Sequence, residues 1–131
     1  MTWTLRIARP SSDPERLAAL YVAGLGFERL GGFTDHAGFD GVIVGPPGAD
    51  YHLEFTHCRH HPVRPSPTEE DLLVFYETDR ERWQAACMRA LDAGFVETAA
   101  FNPYWTEHGR TFIDPDGYRL VLCHTRFSPG G

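Results

Sequence analysis

The residues with the clearest chemical potential lie on one predicted strand. In the run Tyr51–Cys58 polar and apolar side chains alternate, so that His52, Glu54 and Thr56 share one face of the strand. A carboxylate such as Glu54 could serve as an acid/base catalyst or could anchor the polar end of a ligand. It could equally form an internal ion pair with a purely structural role. Both interpretations are open from the sequence.

A second candidate group lies in the segment Asn102–Gly109, which we predict to be a loop. Tyr104 and Trp105 are large aromatic residues that could wall off an apolar ligand, and His108 could transfer a proton near neutral pH. Alternatively, the two aromatic side chains cover the open end of the core and His108 is a solvated surface residue. Because loops at the mouth of a scaffold often carry function, we predict that Tyr104 and Trp105 line the entrance for a ligand.

Several soft metal ligands are clustered near the middle of the chain, at His57, Cys58, His60 and His61. Zinc sites use such residues. However, this cluster crosses from a strand end into a proline-rich segment and has no second half at a fixed spacing, so adventitious metal binding is a better interpretation than a built site. His36 and His124 have no neighbours in the sequence that suggest chemistry.

The elements that must position these residues occur twice in the same order. Asp13 and Asp79 are predicted to cap two helices that end at Gly26 and Gly94. Each helix follows one strand and precedes three more, and Asp114–Gly117 is predicted to be the turn of the last hairpin. The predicted strands are Trp3–Arg9, Phe27–Thr34, Phe39–Val44, Tyr51–Cys58, Leu72–Glu77, Phe95–Phe101 and the two that flank the last turn. The sequence therefore predicts an α+β fold of two βαβββ modules.

The composition is that of a globular protein of one domain. The chain has 131 residues, of which 42% are hydrophobic and 23% are charged, and its net charge is −6. No apolar run approaches the roughly 20 residues that a membrane span needs, and there is no cluster of lysine and arginine. We therefore predict a cytoplasmic protein that binds neither nucleic acid nor membranes. The cysteines are odd in number and far apart, which argues against a disulfide framework.

The layout resembles the vicinal oxygen chelate (VOC) superfamily, which includes glyoxalase I, fosfomycin-resistance enzymes, extradiol dioxygenases and bleomycin-resistance proteins. The resemblance covers nearly the whole chain and is carried by both capping aspartates, Leu25-Gly26-Phe27, His52–Phe55, Ala93-Gly94-Phe95 and Asp114–Leu120. It implies a single domain, 1–131, with module one at about 1–58, a linker at about 59–70 and module two at about 71–127. The modules would form an open, curled mixed sheet, the glyoxalase/bleomycin resistance/dihydroxybiphenyl dioxygenase fold, around a ligand cavity.

The resemblance also places the metal ligands of the superfamily on this chain, at Arg6, Glu54, Leu72 (or Val74) and Val121. Only Glu54 has the chemistry of a ligand, whereas a tightly bound divalent metal needs about three protein donors. We therefore predict that no metal or other cofactor is bound and that Arg6 pairs with Glu54 in the place of the metal.

The function expected from this resemblance is the binding of a small organic molecule without the usual metal. The residues predicted to contact the ligand are Arg6, His52, Glu54, Tyr104, Trp105, His108 and Val121, with Glu54 as the one candidate catalytic residue. The alternatives are a metal-dependent lyase or dioxygenase of glyoxalase type, and a metal-free enzyme that uses Glu54 and a nearby histidine. Related single-domain chains pair two-fold, and exposed sheet edges are usually covered, so a homodimer is predicted.

Overall fold

A computed structural model describes residues 2–129 of the chain. The chain divides into two compact units, Met1–Ser66 and Pro67–Gly131, and the division falls within the proline-rich segment predicted as a linker. Each unit contains one four-stranded sheet. None of the helices in the described part of the chain is both long enough and apolar enough to cross a membrane.

The first unit consists of one strand, one helix and three further strands. Its elements are β1 (Leu5–Pro10), α1 (Pro14–Leu25), β2 (Glu28–His36), β3 (Phe39–Gly45) and β4 (Tyr51–Cys58). The strand order in the sheet is β1-β4-β3-β2. The pair β1/β4 is parallel and the other pairs are antiparallel, so the sheet is mixed.

The second unit repeats this arrangement with one additional short helix. Its elements are β5 (Leu72–Tyr76), α2 (Arg80–Ala93), β6 (Val96–Thr98), α3 (Pro103–His108), β7 (Gly109–Ile113) and β8 (Arg119–Cys123). The strand order is β5-β8-β7-β6, again with the first and last strands of the module parallel. The prediction of an α+β fold made of two βαβββ modules is confirmed. Pairing of two chains across the sheet edges stays a prediction.

Both long helices begin and end at the predicted capping residues. The carboxylate of Asp13 accepts a hydrogen bond from the backbone N–H of Arg16 at 3.2 Å, and that of Asp79 accepts one from Arg82 at 3.0 Å. At the other ends Gly26 and Gly94 have φ values of 70° and 119°. These left-handed conformations cost little only for a residue without a Cβ atom.

The apolar alternation of β4 decides which face of the first sheet is covered by α1. Leu53 and Phe55 are fully buried, and the ring of Phe55 lies 5.0 Å from that of Tyr21 on α1. Because neighbouring side chains of a strand point to opposite faces, His52, Glu54 and Thr56 lie on the face that α1 does not cover. We call this surface the helix-free face of the first sheet.

Three sequence predictions are wrong at element boundaries. The first strand was predicted as Trp3–Arg9 but is Leu5–Pro10, and Pro10 is tolerated as its last residue because β1 is an edge strand and its outer side needs no donor. The strand predicted at Phe95–Phe101 is only Val96–Thr98, since beyond Thr98 the chain leaves the sheet toward α3. The predicted loop Asn102–Gly109 contains the helix α3, capped by the side chain of Asn102.

Candidate functional site

Three of the predicted site residues meet on the helix-free face of the first sheet. Arg6 lies beside His52 in the parallel register of β1 and β4, and its Nε donates a hydrogen bond to His52 Nε2 at 2.9 Å. The Nη1 of Arg6 also reaches one step along β4 and donates to Glu54 Oε2 at 3.1 Å. The residue directly opposite Glu54 on β1 is Ala8, whose small side chain leaves room for this arginine to cross. The three side chains form one connected polar group.

The charged side chains of this group differ in their exposure to solvent. The side chain of Glu54 is only 13% exposed, whereas that of Arg6 is 48% exposed. A half-exposed ion pair contributes little to stability, so the contact mainly fixes the position of the guanidinium. His52 accepts the hydrogen bond from Nε of Arg6 through Nε2, so that nitrogen is occupied by Arg6.

The residues at the metal positions of the superfamily do not fit a divalent metal. Glu54 is the one carboxylate among them, and it is already bonded to the positive guanidinium of Arg6. In the second unit Leu72, Val74 and Val121 are aliphatic, and Val121 is completely buried. Within residues 2–129, no group of three or more histidine, cysteine, aspartate or glutamate side chains is arranged to hold a metal ion.

Glycines on the same face create a surface that sequence reasoning missed. Gly41 lies opposite both Phe33 on β2 and Thr56 on β4. A Cβ atom on Gly41 would lie 2.2 Å from Cζ of Phe33, so the phenyl ring rests directly on the backbone of β3. Gly45 is similarly close to His52, where an added Cβ would lie 3.1 Å from Cβ of the histidine. The helix-free face is therefore flat beside the charged group.

Among the cavities formed by the described residues of the first unit, one lies near this face and another near the start of α1. One has a volume of about 180 Å³ and is lined by Pro10, Phe39, Thr56, Cys58 and Val63. Thr56 and Cys58 alternate with Glu54 along β4, so this cavity continues the helix-free face beyond the charged group. It is smaller than a drug-sized ligand needs, and no residue of the charged group lines it.

The other cavity, of about 260 Å³, lies beside the first turn of α1 and is lined in part by Glu15, Asp40 and His57. Two of its carboxylates, those of Glu15 and Asp40, already have cationic partners, and a third, that of Asp13, caps α1. The Arg29 guanidinium lowers the pKa of Glu15, and the Arg59 guanidinium lowers the pKa of Asp40. Arg29 and Arg59 are about as exposed as Arg6, but both terminal nitrogens of each are engaged in ion pairs. Nη2 of Arg6 has no partner within residues 2–129, so we place the candidate site at Arg6.

The predicted aromatic residues of the second unit lie together on α3. The rings of Tyr104 and Trp105 meet edge to face at a centroid distance of 4.9 Å, and Tyr104 also lies 4.2 Å from the ring of His108. Tyr104 is half exposed, whereas the side chain of His108 is only 28% exposed and its Nδ1 is buried. His108 is thus less solvated than a surface histidine, and the three rings form one cluster.

A histidine that the sequence did not single out lies in the same unit. The ring of His124 packs edge-on against Trp83 at 4.7 Å, and its Nδ1 is 3.3 Å from Nη1 of Arg80. The backbone N–H of His124 donates to the carbonyl of His108 at 2.9 Å, which ties the end of α3 to the end of β8. Partial burial lowers the pKa of His124, and the positive Arg80 and nearby His108 lower it further.

Val121 lies beside the buried polar side chain of Thr111. Its register neighbours are Val74 on β5 and Thr111 on β7. Thr111 is 3% exposed, and its Oγ1 has no hydrogen-bond partner among the residues that the structure describes. A buried hydroxyl without a partner is costly, because it has exchanged water for apolar contacts.

We expect Thr111→Val to raise the free energy of unfolding by about 1 kcal/mol, since a methyl group of similar size removes the cost of the unpaired hydroxyl. Urea denaturation followed by circular dichroism measures the change. Thr111→Ser retains the hydroxyl, removes a methyl group and should be less stable than the wild type. A destabilised Thr111→Val protein would mean that the hydroxyl has a partner.

The remaining sulfur and histidine candidates do not assemble into a site. Cys58, Cys87 and Cys123 are free thiols, and burial raises the pKa of Cys87. His60 packs against Gly38 in the turn between β2 and β3, where an added Cβ would lie 2.7 Å from its ring. His57, which lines the cavity beside α1, is on the opposite face of β4 from Glu54.

The two mixed sheets, each built from a βαβββ module, have the fold of the glyoxalase/bleomycin resistance proteins of the VOC superfamily, as the resemblance in the sequence implied. Residues 5–56 match the YycE-like N-terminal domain, and residues 70–124 match the YycE-like C-terminal domain. The chain belongs to the YycE-like family.

A curated relative is the uncharacterized protein YycE of Bacillus subtilis (strain 168), which is 39% identical over 122 residues. The alignment covers 93% of this chain and 88% of YycE. The crystal structure of B. subtilis YycE, a protein of unknown function considered a candidate glyoxalase/fosfomycin resistance protein, matches with a TM-score of 0.88 and 38% identity. That match covers 98% of this chain and 93% of the YycE chain.

A further structural relative is TnmS3, an antibiotic binding protein from Streptomyces sp. CB03234. It matches with a TM-score of 0.65 and 26% identity, and the match covers 94% of this chain and 95% of TnmS3.

Proposed function

We propose that this protein binds a small organic molecule on the helix-free face of the first sheet, without the divalent metal of the catalytic VOC enzymes. The observation that carries the proposal is the guanidinium of Arg6, which is fixed by His52 at 2.9 Å and Glu54 at 3.1 Å and is still half exposed. A charged group held in place beside a flat surface is suited to orient a ligand, because little side-chain entropy is lost on binding.

The proposed absence of a metal rests on the same contact. A divalent cation at Glu54 would have to displace the guanidinium and would lie close to its positive charge. The other positions implied by the superfamily offer no lone pairs. We therefore place this protein with binding members of the superfamily rather than with its lyases or dioxygenases.

The geometry favours binding over metal-free catalysis. A general base must be able to accept a proton from the substrate. Here Glu54 is largely shielded and bonded to Arg6, and the acceptor nitrogen of His52 is occupied by the same arginine. Neither group is free to act before Arg6 moves away. The antibiotic-binding relative TnmS3 provides a precedent for a binding function on this fold.

The test is a nuclear magnetic resonance screen of the ¹⁵N-labelled protein against a library of organic fragments that spans anions, cations and neutral molecules. We expect at least one chemical class to shift the amide signals of Arg6, His52 and Glu54. Arg6→Gln should abolish these shifts. The matched control is Arg64→Gln, because Arg64 is an exposed arginine of the same unit outside the sheet.

Elemental analysis of the purified protein completes this test. We expect no stoichiometric nickel, zinc, iron or manganese. Metal that is bound in the wild type and lost in Glu54→Gln would contradict the metal-free proposal. A library in which no compound shifts the signals of β1 and β4 would contradict the binding function itself.

A further inference from the structure

The charge that the helix-free face offers to a ligand is positive, although the chain as a whole carries a net charge of −6. Arg6 uses Nε for His52 and Nη1 for Glu54. Its Nη2 makes no hydrogen bond or ion pair within residues 2–129. Two N–H donors of a half-exposed guanidinium are therefore available for an acceptor from outside the chain.

The negative charge beside Arg6, on the carboxylate of Glu54, is not available to a ligand. The side chain of Glu54 is 13% exposed and already accepts from Arg6. A cationic ligand would meet the guanidinium before it met the carboxylate, since Arg6 is the more exposed partner. The local arrangement thus favours an acceptor or an anion, and the net charge of the whole protein is a poor guide to the ligand.

The surface next to Arg6 is flat and apolar. Residues that face one another on neighbouring strands form rows across the sheet. On the helix-free face, the two rows that follow that of Arg6 run from Glu54 to Ile43 and from Thr56 to Gly41. The Phe33 ring lies against the backbone at Gly41, and Leu30 is 46% exposed on the adjacent β2. Flat apolar surface of this kind stacks well on planar rings and poorly on bulky saturated ones.

The spacing of these features sets the size of the ligand. β1 and β3 are separated by β4 alone, so their backbones lie about 10 Å apart, two strand spacings of nearly 5 Å each. Along the strands, Ile43 lies one row and Gly41 two rows from the row of Arg6, and the guanidinium of Arg6 itself reaches the row of Glu54 and Ile43. A two-ring aromatic acid with its carboxylate at this guanidinium therefore extends over Ile43 toward Phe33. An acid with a single ring would be too short to contact both the guanidinium of Arg6 and the flat surface.

We propose that the ligand of this site is a planar organic anion, whose carboxylate or similar acceptor group binds Nη2 of Arg6 while its aromatic body lies over Ile43, Gly41 and Phe33. This inference rests on the proposed binding function and specifies its ligand class. Charge-assisted hydrogen bonds from arginine to carboxylates are stronger than neutral ones and have a defined direction, so they provide both affinity and orientation.

The experiment compares three probes of the same shape and one of a different shape. 2-Naphthoate, 2-naphthamide and 2-naphthylmethylamine share a planar body and differ in the charge of the polar end, whereas decalin-2-carboxylate keeps the charge and loses planarity. Amide titrations on the ¹⁵N-labelled protein give each dissociation constant. We expect 2-naphthoate to bind roughly tenfold or more tightly than the other three, in line with a hydrogen bond between charged groups.

Two variants test the guanidinium and the flat surface of the site independently. Arg6→Gln should reduce the affinity for 2-naphthoate to that for 2-naphthamide, while Arg64→Gln leaves it unchanged. Gly41→Ala should weaken all planar probes several-fold, because the new Cβ forces the Phe33 ring out of its position. The thermal transition of each variant shows whether it is folded. For Gly41→Ala, the amide signals of β4 provide a second check that the sheet is still folded.

The outcomes distinguish this inference from the proposed function. If the amine or the amide binds as tightly as 2-naphthoate, or if decalin-2-carboxylate does, the ligand class is wrong while binding to this face stands. Failure of all four probes, with other library compounds bound at Arg6 and Glu54, also overturns the ligand class alone. Failure of the entire library overturns both.

Discussion

Replacing Phe55 by alanine should lower the free energy of unfolding by about 3–5 kcal/mol. The side chain of Phe55 is fully buried and its ring lies 5.0 Å from that of Tyr21, so that it joins β4 to α1. Truncation removes the buried ring and leaves a cavity that the helix and the sheet can close only in part. Chemical denaturation followed by circular dichroism measures this loss.

A matched control for this prediction is Phe55→Leu, which keeps most of the buried volume and should cost less than about 1.5 kcal/mol. Thr56→Ala, the next residue on the opposite face, should have a smaller effect than Phe55→Ala, because Thr56 makes one long hydrogen bond of 3.4 Å to the carbonyl of Arg9. A cost below about 1 kcal/mol for Phe55→Ala would show that the ring is not part of the core. Ligand binding should weaken in Phe55→Ala as well, since Glu54 is its immediate neighbour on β4.

The features of the fold that could be predicted from the sequence are those with local causes. Asp13 and Asp79 cap helices because their side chains reach a backbone N–H three residues ahead, and Gly26 and Gly94 end them because glycine accepts a positive φ. The alternation in β4 follows from the pleat of a strand. None of these signals depends on distant parts of the chain.

The helix α3 was missed although its sequence contains a local signal for a helix start. α3 has two helix-start signals, Asn102 at the cap and Pro103 at the first position. It has only six residues and none of them is buried, so it lacks the apolar period by which a helix is recognised. The signal was present in those two residues, and the short length concealed it.

The candidate site was predictable in its charges and not in its shape. The partnership of Arg6 with Glu54 followed from the resemblance to the VOC superfamily, and the structure contains this contact. The flat surface did not follow, because the role of Gly41 depends on Phe33 lying opposite it across two strands whose register is shifted by irregularities. The contact of His124 with Arg80 joins residues 44 positions apart, and no sequence pattern indicates such a pair.

Asp114→Ala should destabilise the second unit by about 2–4 kcal/mol, because one carboxylate holds the turn between β7 and β8. Asp114 is 5% exposed, and its Oδ1 accepts hydrogen bonds from the backbone N–H groups of Asp116 at 2.9 Å and Tyr118 at 3.0 Å. Alanine leaves both donors without this acceptor, and the one at Tyr118 is buried. Asp114→Asn retains one oxygen at this position but loses the charge and replaces the second oxygen by an NH₂ group, so its cost should be about 1 kcal/mol. Urea denaturation compares the two variants, and hydrogen exchange at the Tyr118 amide should be faster in Asp114→Ala alone. Equal stability of the two variants would mean that the backbone hydrogen bonds of the hairpin, Asp114 N–H to the Tyr118 carbonyl at 2.9 Å and Gly117 N–H to the Asp114 carbonyl at 3.0 Å, hold the turn without the side chain.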